Sequence, residues 1–226
     1  MTENISSCRK KWDALLWDVD GTLVDSQAAI RKGHLQAIAA CQLTKPPVTA
    51  IDAVIGMPLD RGFAHLFPAA KPADVQALVA AYRTAWFAGV MNECAAFDGI
   101  PELLTDCAAA GYPQAVASAK SHQGLERALI RYHLADFFPN ICGALPGETN
   151  KTPVIRRAWQ QLGHVAARTV MIGDRHHDLD AAQALGIAPI LVTWGKMTTQ
   201  QEITDAKAQA IPVCQNVEQL RQLLLR

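Results

Sequence analysis

The stretch Asp18-Val19-Asp20-Gly21-Thr22 sets two carboxylates two residues apart, directly after the apolar run Ala14–Trp17. Side chains two apart in extended backbone face the same way, so Asp18 and Asp20 can address one substrate from one side. A second acidic pair, Asp174 and Asp178, follows another apolar run, Thr169–Ile172. Two acidic groups four apart, where a strand gives way to a helix, suit a hard divalent cation that takes oxygen ligands. Between the pairs, Ser118 closes the run Ala115–Ala117, and Lys120 stands two residues beyond it. Asp18 with Asp20, Ser118, and Asp174 with Asp178 each follow an apolar run, so separate segments converge on one chemistry.

The elements that must position them follow from the alternation of short apolar runs and longer helical stretches. Further runs are Ile141–Ala144, Pro189–Thr193 and the weaker Ala210–Cys214. Helical patterns cover Pro101–Ala110, Ser121–Tyr132, Pro153–Leu162, Leu179–Leu185 and Val217–Leu225. Short buried strands alternating with helices predict an α/β fold with a largely parallel sheet. In such a sheet ligands bind beyond the carboxyl ends of the strands, where the residues above stand. Residues 27–93 carry only helical signals, cut by Pro46-Pro47, Gly56-Met57-Pro58, Phe67-Pro68 and Lys71-Pro72. Pro and Gly end helices. We read this interval as an inserted four-helix cap, with residues 1–26 and 94–226 forming the core. Its joints are expected near Asp25-Ser26 and Glu93–Phe97, with Asp25 or Ser26 capping the first cap helix.

The chain has 226 residues, room for one large domain or a core plus a smaller insert. Half of them are hydrophobic and the formal net charge is zero. A nucleic-acid binder would usually carry a basic excess. Met1–Lys11 is polar without an apolar signal-peptide core, and no stretch reaches the roughly 18 apolar residues of a membrane span. The expectation is a soluble, cytoplasmic monomer or homodimer that binds neither nucleic acid nor membrane. Cys8, Cys41, Cys94, Cys107, Cys142 and Cys214 show no CxxC spacing, and reduced thiols are expected.

With these residues in place, the chain resembles the haloacid dehalogenase (HAD) phosphatases, specifically their phosphoglycolate-phosphatase-like branch with a helical cap. The likeness runs from about Trp12 to Leu224. It implies a Rossmann-like core and an enzyme that hydrolyses a phosphomonoester through an aspartyl-phosphate. It gives Asp18 the role of nucleophile and Asp20 that of general acid and base. It assigns phosphate oxygens to the Ser118 hydroxyl and the Ala119 backbone N–H, although the family commonly has Asn or Ser where Ala119 stands. Lys151, in Asn150-Lys151-Thr152-Pro153, matches the family lysine that offsets transition-state charge; Thr152 stands where the family often has Pro. The likeness also implies Mg²⁺, bound by Asp18, Asp174 and the backbone carbonyl of Asp20, with Asp178 acting directly or through water. Where Ala181 stands the family often has Gly.

Substrate contacts are expected from Lys120 and from the cap residues Arg61, Arg83 and His34, with Trp86 and Phe87 as cap core. His176-His177 suggests zinc, but no third nitrogen or sulfur ligand is near in sequence. Gly195-Lys196-Met197-Thr198 lacks the Ser/Thr and upstream Gly of a P-loop. The partner is expected to be a small phosphorylated metabolite of the phosphoglycolate type. Gly-Asp-Arg-x-His-Asp and Thr193-Trp194-Gly195 also resemble a 5'-nucleotidase-like subgroup, so nucleoside monophosphates are the alternative. A non-enzymatic phospho-receiver is the alternative from another class.

Overall fold

The computed structural model describes residues 10–226; Cys8 and the polar leader up to Arg9 lie outside the described residues. Among the described residues eight strands occur: β1 (Ala14–Trp17), β2 (Val24–Asp25), β3 (Ala95–Ala96), β4 (Gln114–Ser121), β5 (Asn140–Ala144), β6 (Thr169–Gly173), β7 (Ala188–Val192) and β8 (Val213–Cys214). Six form one parallel sheet in the order β5-β4-β1-β6-β7-β8, while β2 and β3 pair antiparallel as a separate ribbon. The helices are α1 (Gln27–Ala40), α2 (Val48–Ala53), α3 (Leu59–Leu66), α4 (Pro72–Ala88) and α5 (Ile100–Ala109). They continue with α6 (His122–Arg131), α7 (Thr152–Leu162), α8 (His176–Gln183), α9 (Gln200–Ala208) and α10 (Val217–Leu225).

The central strand β1 is fully buried, as expected for a strand covered on both faces. Its alternation splits the core in two. Leu15 and Trp17 join the layer of Leu103, Leu104, Leu125 and Leu220 from α5, α6 and α10. Leu16 faces the other layer, with Val154, Ile155 and Ala158 of α7 and Ala181 and Ala182 of α8. This is the parallel α/β core anticipated from the alternating pattern, and the Rossmann-like arrangement that the family resemblance implies. The helices α1–α4 form the cap-like region, around Ile38, Ile51, Phe63, Leu78, Tyr82 and Trp86. Pro72 opens α4 at a position where its missing N–H costs nothing, and Gly89 closes it.

Some local expectations are corrected. Ser26 stands at the N-cap of α1, but its side chain makes no cap bond, because its hydroxyl donates to Asp20 Oδ1 at 2.6 Å instead. The run Ala115–Ala117 extends as β4 to Ser121, and the Ser121 side chain caps α6. Helix α9 shows no apolar stripe at helical spacing, so the pattern does not reveal it; Thr199 and Glu202 form the capping box that starts it. Cys41, Cys94, Cys107, Cys142 and Cys214 are free thiols. Among the described residues no helix is long and apolar enough to cross a membrane.

Candidate active site

The chain leaves β1 for β4 on one side and later returns to β6 on the other, so the carboxyl end of β1 is the switch point of the sheet. The crevice outside such a point is where open α/β sheets take ligands. Asp18 stands there, its N–H donating to the Ile172 carbonyl of β6 at 2.9 Å. Asp174 follows β6 directly, and Asp178 lies in the first turn of α8. Lys151, at the N-terminus of α7, reaches between them. Its Nζ donates to Asp18 Oδ1 at 2.5 Å and also to Asp178 Oδ1. All four side chains are buried. One carboxylate oxygen from each of Asp18, Asp174 and Asp178 lies within 4.8 Å of the others.

Two glycines permit this crowding. Gly21 turns with φ +79°, and a Cβ there would overlap the Asp174 carboxylate. A Cβ on Gly195 would overlap the backbone of Gly21, so the loop after β7 packs directly on the Asp18–Thr22 turn. Trp194 Nε1 fixes that contact by donating to the Thr22 carbonyl at 3.0 Å.

Three carboxylates thus face one ammonium. Burial pushes the Asp18 carboxyl up to about 7, against the pull of Lys151, with Asp178 and Asp20 adding to the rise. Burial likewise holds Asp174 well above the carboxylate range, reinforced by Asp18 and Asp178. For Lys151, burial works against the charge, but Asp178 and Asp18 outweigh it and raise the ammonium. Both oxygens of Asp174 are buried without a hydrogen-bond partner. Buried carboxylate oxygens rarely stay unpaired. A divalent cation with oxygen ligands supplies the missing partner and charge, so the residues fit one.

Asp20 is held apart from this cluster. Ser26 Oγ donates to one of its oxygens, and Lys120 Nζ lies 2.8 Å from the other. Ser118 is buried, its Oγ accepting from the Lys120 N–H at 3.3 Å. Ser118, Ala119, Lys151 and the aspartates line a small inner pocket. Asp20 and Ala119 also line a cavity of about 610 Å³ that opens between the core and α1, α3 and α4.

His34 and Arg83 line this larger cavity; Arg61 does not, being exposed, although its neighbours Leu59, Asp60 and Gly62 on α3 do. His34 is buried, with Nδ1 2.9 Å from the Ile30 carbonyl, and burial lowers its pKa. Trp86 is buried as cap core, stacked 5.6 Å from Tyr82, and also forms cavity wall. Phe87, expected in the cap core, is instead an exposed cavity residue. The His176 side chain is half-exposed and bound to Glu202, not to a metal cluster. Sequence reasoning missed Ser26, Arg175 and Glu202. Only Glu202 carried a readable signal, the capping box with Thr199.

Clustered carboxylates and a lysine at the switch point of a parallel sheet, beneath helices, define a capped α/β hydrolase. The chain belongs to the haloacid dehalogenase-like hydrolases, whose family profile matches residues 15–192. The tyrosine-protein kinase PtkA of Mycobacterium tuberculosis is 31% identical over 183 residues, 80% of this chain; the match spans 62% of PtkA's own length. The 5'-nucleotidase of Pseudomonas aeruginosa is 31% identical over 217 residues, 95% of this chain and 96% of that protein. A crystal structure of a predicted phosphatase from Clostridium acetobutylicum superposes with a TM-score of 0.85 at 26% identity, over 95% of this chain and 98% of that one.

Proposed function

We propose that the protein is a Mg²⁺-dependent phosphatase that cleaves a small phosphomonoester through an aspartyl-phosphate on Asp18. The observation that carries this is the buried cluster of Asp18, Asp174, Asp178 and Lys151, with both Asp174 oxygens left without a protein partner. Mg²⁺, held by Asp18, Asp174 and Asp178 with the backbone carbonyl of Asp20, would offset the charge of the phosphoryl oxygens and keep Asp18 ionised.

The side chains divide the work. An Asp18 oxygen attacks phosphorus as the bond to the leaving alkoxide breaks, and Asp20 gives that alkoxide its proton. Asp20 then takes a proton from water, which attacks the same phosphorus and restores the Asp18 carboxylate. Lys151 orients Asp18 and offsets charge through the shared hydrogen bond. Ser118 and the Ala119 N–H hold phosphate oxygens. Asp20 stands at the junction of the inner pocket and the cavity, where a leaving group must sit.

The cavity supports the larger of the two substrate readings. A volume of about 610 Å³ far exceeds what the glycolate of 2-phosphoglycolate fills. Its walls include Ile30, Val79, Tyr82, Trp86 and Phe87, which suit a flat, largely apolar group such as a nucleobase. The reading is therefore a nucleoside monophosphate, with His34 and Arg83 as polar contacts. On the same reading the protein works in the cytoplasm on a diffusing metabolite, as a monomer or homodimer. Turnover with Mg²⁺ should give nucleoside monophosphates a kcat/KM at least about tenfold above that of 2-phosphoglycolate. A preference for 2-phosphoglycolate would overturn the substrate reading alone; no turnover of any phosphomonoester would overturn the whole proposal.

A further inference from the structure

Arg175 directly follows Asp174 and is buried, although it is charged. Its guanidinium works in two directions. Nε donates to Glu202 Oε1 at 3.0 Å, and Nη1 donates to the Ile55 carbonyl at 2.9 Å. Ile55 lies in the turn between α2 and α3, so this bond joins the core to the cap-like region through a side chain rather than through the connecting strands β2 and β3. Glu202 is fixed in turn. Its Oε1 also accepts from the His176 N–H and faces His176 Nδ1, and its Oε2 accepts from the Thr199 N–H and hydroxyl. The next residue, Gly56, has φ +97°, and a Cβ there would lie 3.3 Å from His177 Cδ2 and 3.7 Å from Arg175 Cγ. The turn is thus seated closely on Arg175 and His177. Ile55 and Gly56 line both the inner pocket and the large cavity, so the seat closes over the place where phosphate and leaving group meet.

We propose that Arg175 is a positioning residue: pre-aligned by Glu202, it latches the Ile55-Gly56 turn onto the loop after β6 and so holds the cap-like region closed over bound substrate. Lysine cannot replace it fully, since only the planar guanidinium presents donors along two edges at once. An opened cap trades the Ile55 carbonyl at Nη1 for water, so the bond favours closure by the modest net worth of a charged-donor hydrogen bond. Because the latch adjoins Asp174, one short segment joins cap seating to the carboxylate cluster. Its loss weakens retention of substrate more than the chemical step.

The latch itself does not depend on the phosphatase reading, and its test has an arm without turnover. Amide hydrogen exchange of residues 54–59 is measured on the substrate-free full chain, for wild type, Arg175→Met and Arg175→Lys. Steady-state kinetics with p-nitrophenyl phosphate and a nucleoside monophosphate follow in Mg²⁺. Arg175→Met is expected to speed exchange in 54–59 about tenfold and to raise KM about tenfold while kcat falls by less. Arg175→Lys should recover part of both effects. Should Arg175→Met not fold, Glu202→Gln, which loosens the same guanidinium, is expected to show the same changes at smaller size. Unchanged exchange in 54–59 for a folded variant overturns the latch, whether or not the wild type turns over phosphomonoesters. So does a loss of kcat with KM unchanged, which would place Arg175 in service of the carboxylate cluster alone.

Discussion

Lys151 touches Asp18 and Lys120 touches Asp20, the two aspartates of the proposed chemistry, yet their surroundings differ. Lys151 is buried between Asp18 and Asp178, whereas Lys120 meets Asp20 and lies 4.6 Å from the centroid of the Trp86 ring, on the cavity wall. Lys151→Ala should therefore lower kcat by roughly 10²-fold or more, as loss of a preorganised donor does. Lys120→Ala should mainly raise KM, because it removes a cation from the leaving-group side. Steady-state kinetics on both variants decide it, and the reverse pattern would exchange their roles. Ser26 adds a third residue, since its hydroxyl holds Asp20. Ser26→Ala should lower kcat most for esters with poor leaving groups, which depend on protonation by Asp20. The aspartates were legible because each stands beside an apolar run. Ser26 was not, because its sequence position reads equally well as a helix cap, and only the fold shows which partner its hydroxyl takes.

At the scale of elements, the loop after β7 and the start of α9 support the site from behind. Gly195→Ala should cut activity strongly, because a Cβ there meets the backbone of the Asp18–Thr22 turn. Glu202 supports the loop after β6. Burial alone would raise its carboxyl; the hydrogen bonds from His176 and Thr199 and the charge of Arg175 outweigh this and hold it far below the usual range. Its folded-state pKa is thus depressed, so its stabilisation is present above the unfolded value of about 4.5 and is lost as pH falls through that value and below. Glu202→Gln should lower stability at neutral pH by about 2 kcal/mol, and the gap should narrow below pH ~4.5. A denaturant titration at several pH values measures it; a gap constant with pH would contradict the charge argument. The strands of the sheet were readable from their apolar runs, β8 within the weaker run Ala210–Cys214, but the strands of the β2–β3 ribbon are two residues long, too short for any periodicity to show. The polar helix α9 has no apolar stripe, so its capping box was the only local sign of it.

At the scale of the whole molecule, the core and the cap-like region meet across the cavity, above a carboxylate cluster that can hold a divalent cation. Chelation should stop turnover, and Mg²⁺ should restore it better than Ca²⁺, whose longer and more numerous contacts would misplace the attacking oxygen. Full activity in Ca²⁺ would count against the carboxylate cluster as a compact octahedral site. The division into core and inserted helices was visible as a break in pattern, from alternating runs to an uninterrupted helical stretch cut by prolines. The cavity between them was not, because its walls come from α1, α4 and the β4–α6 junction, which only the tertiary fold brings together. The central claim is that phosphorus passes to Asp18. A single turnover of wild type in Mg²⁺, quenched with acid and mapped by peptide mass spectrometry, should show a phosphoryl adduct on the peptide holding Asp18, lost on hydroxylamine treatment and absent from Asp18→Asn. An adduct on another residue, or turnover by Asp18→Asn at more than a few per cent of wild type, would contradict the account.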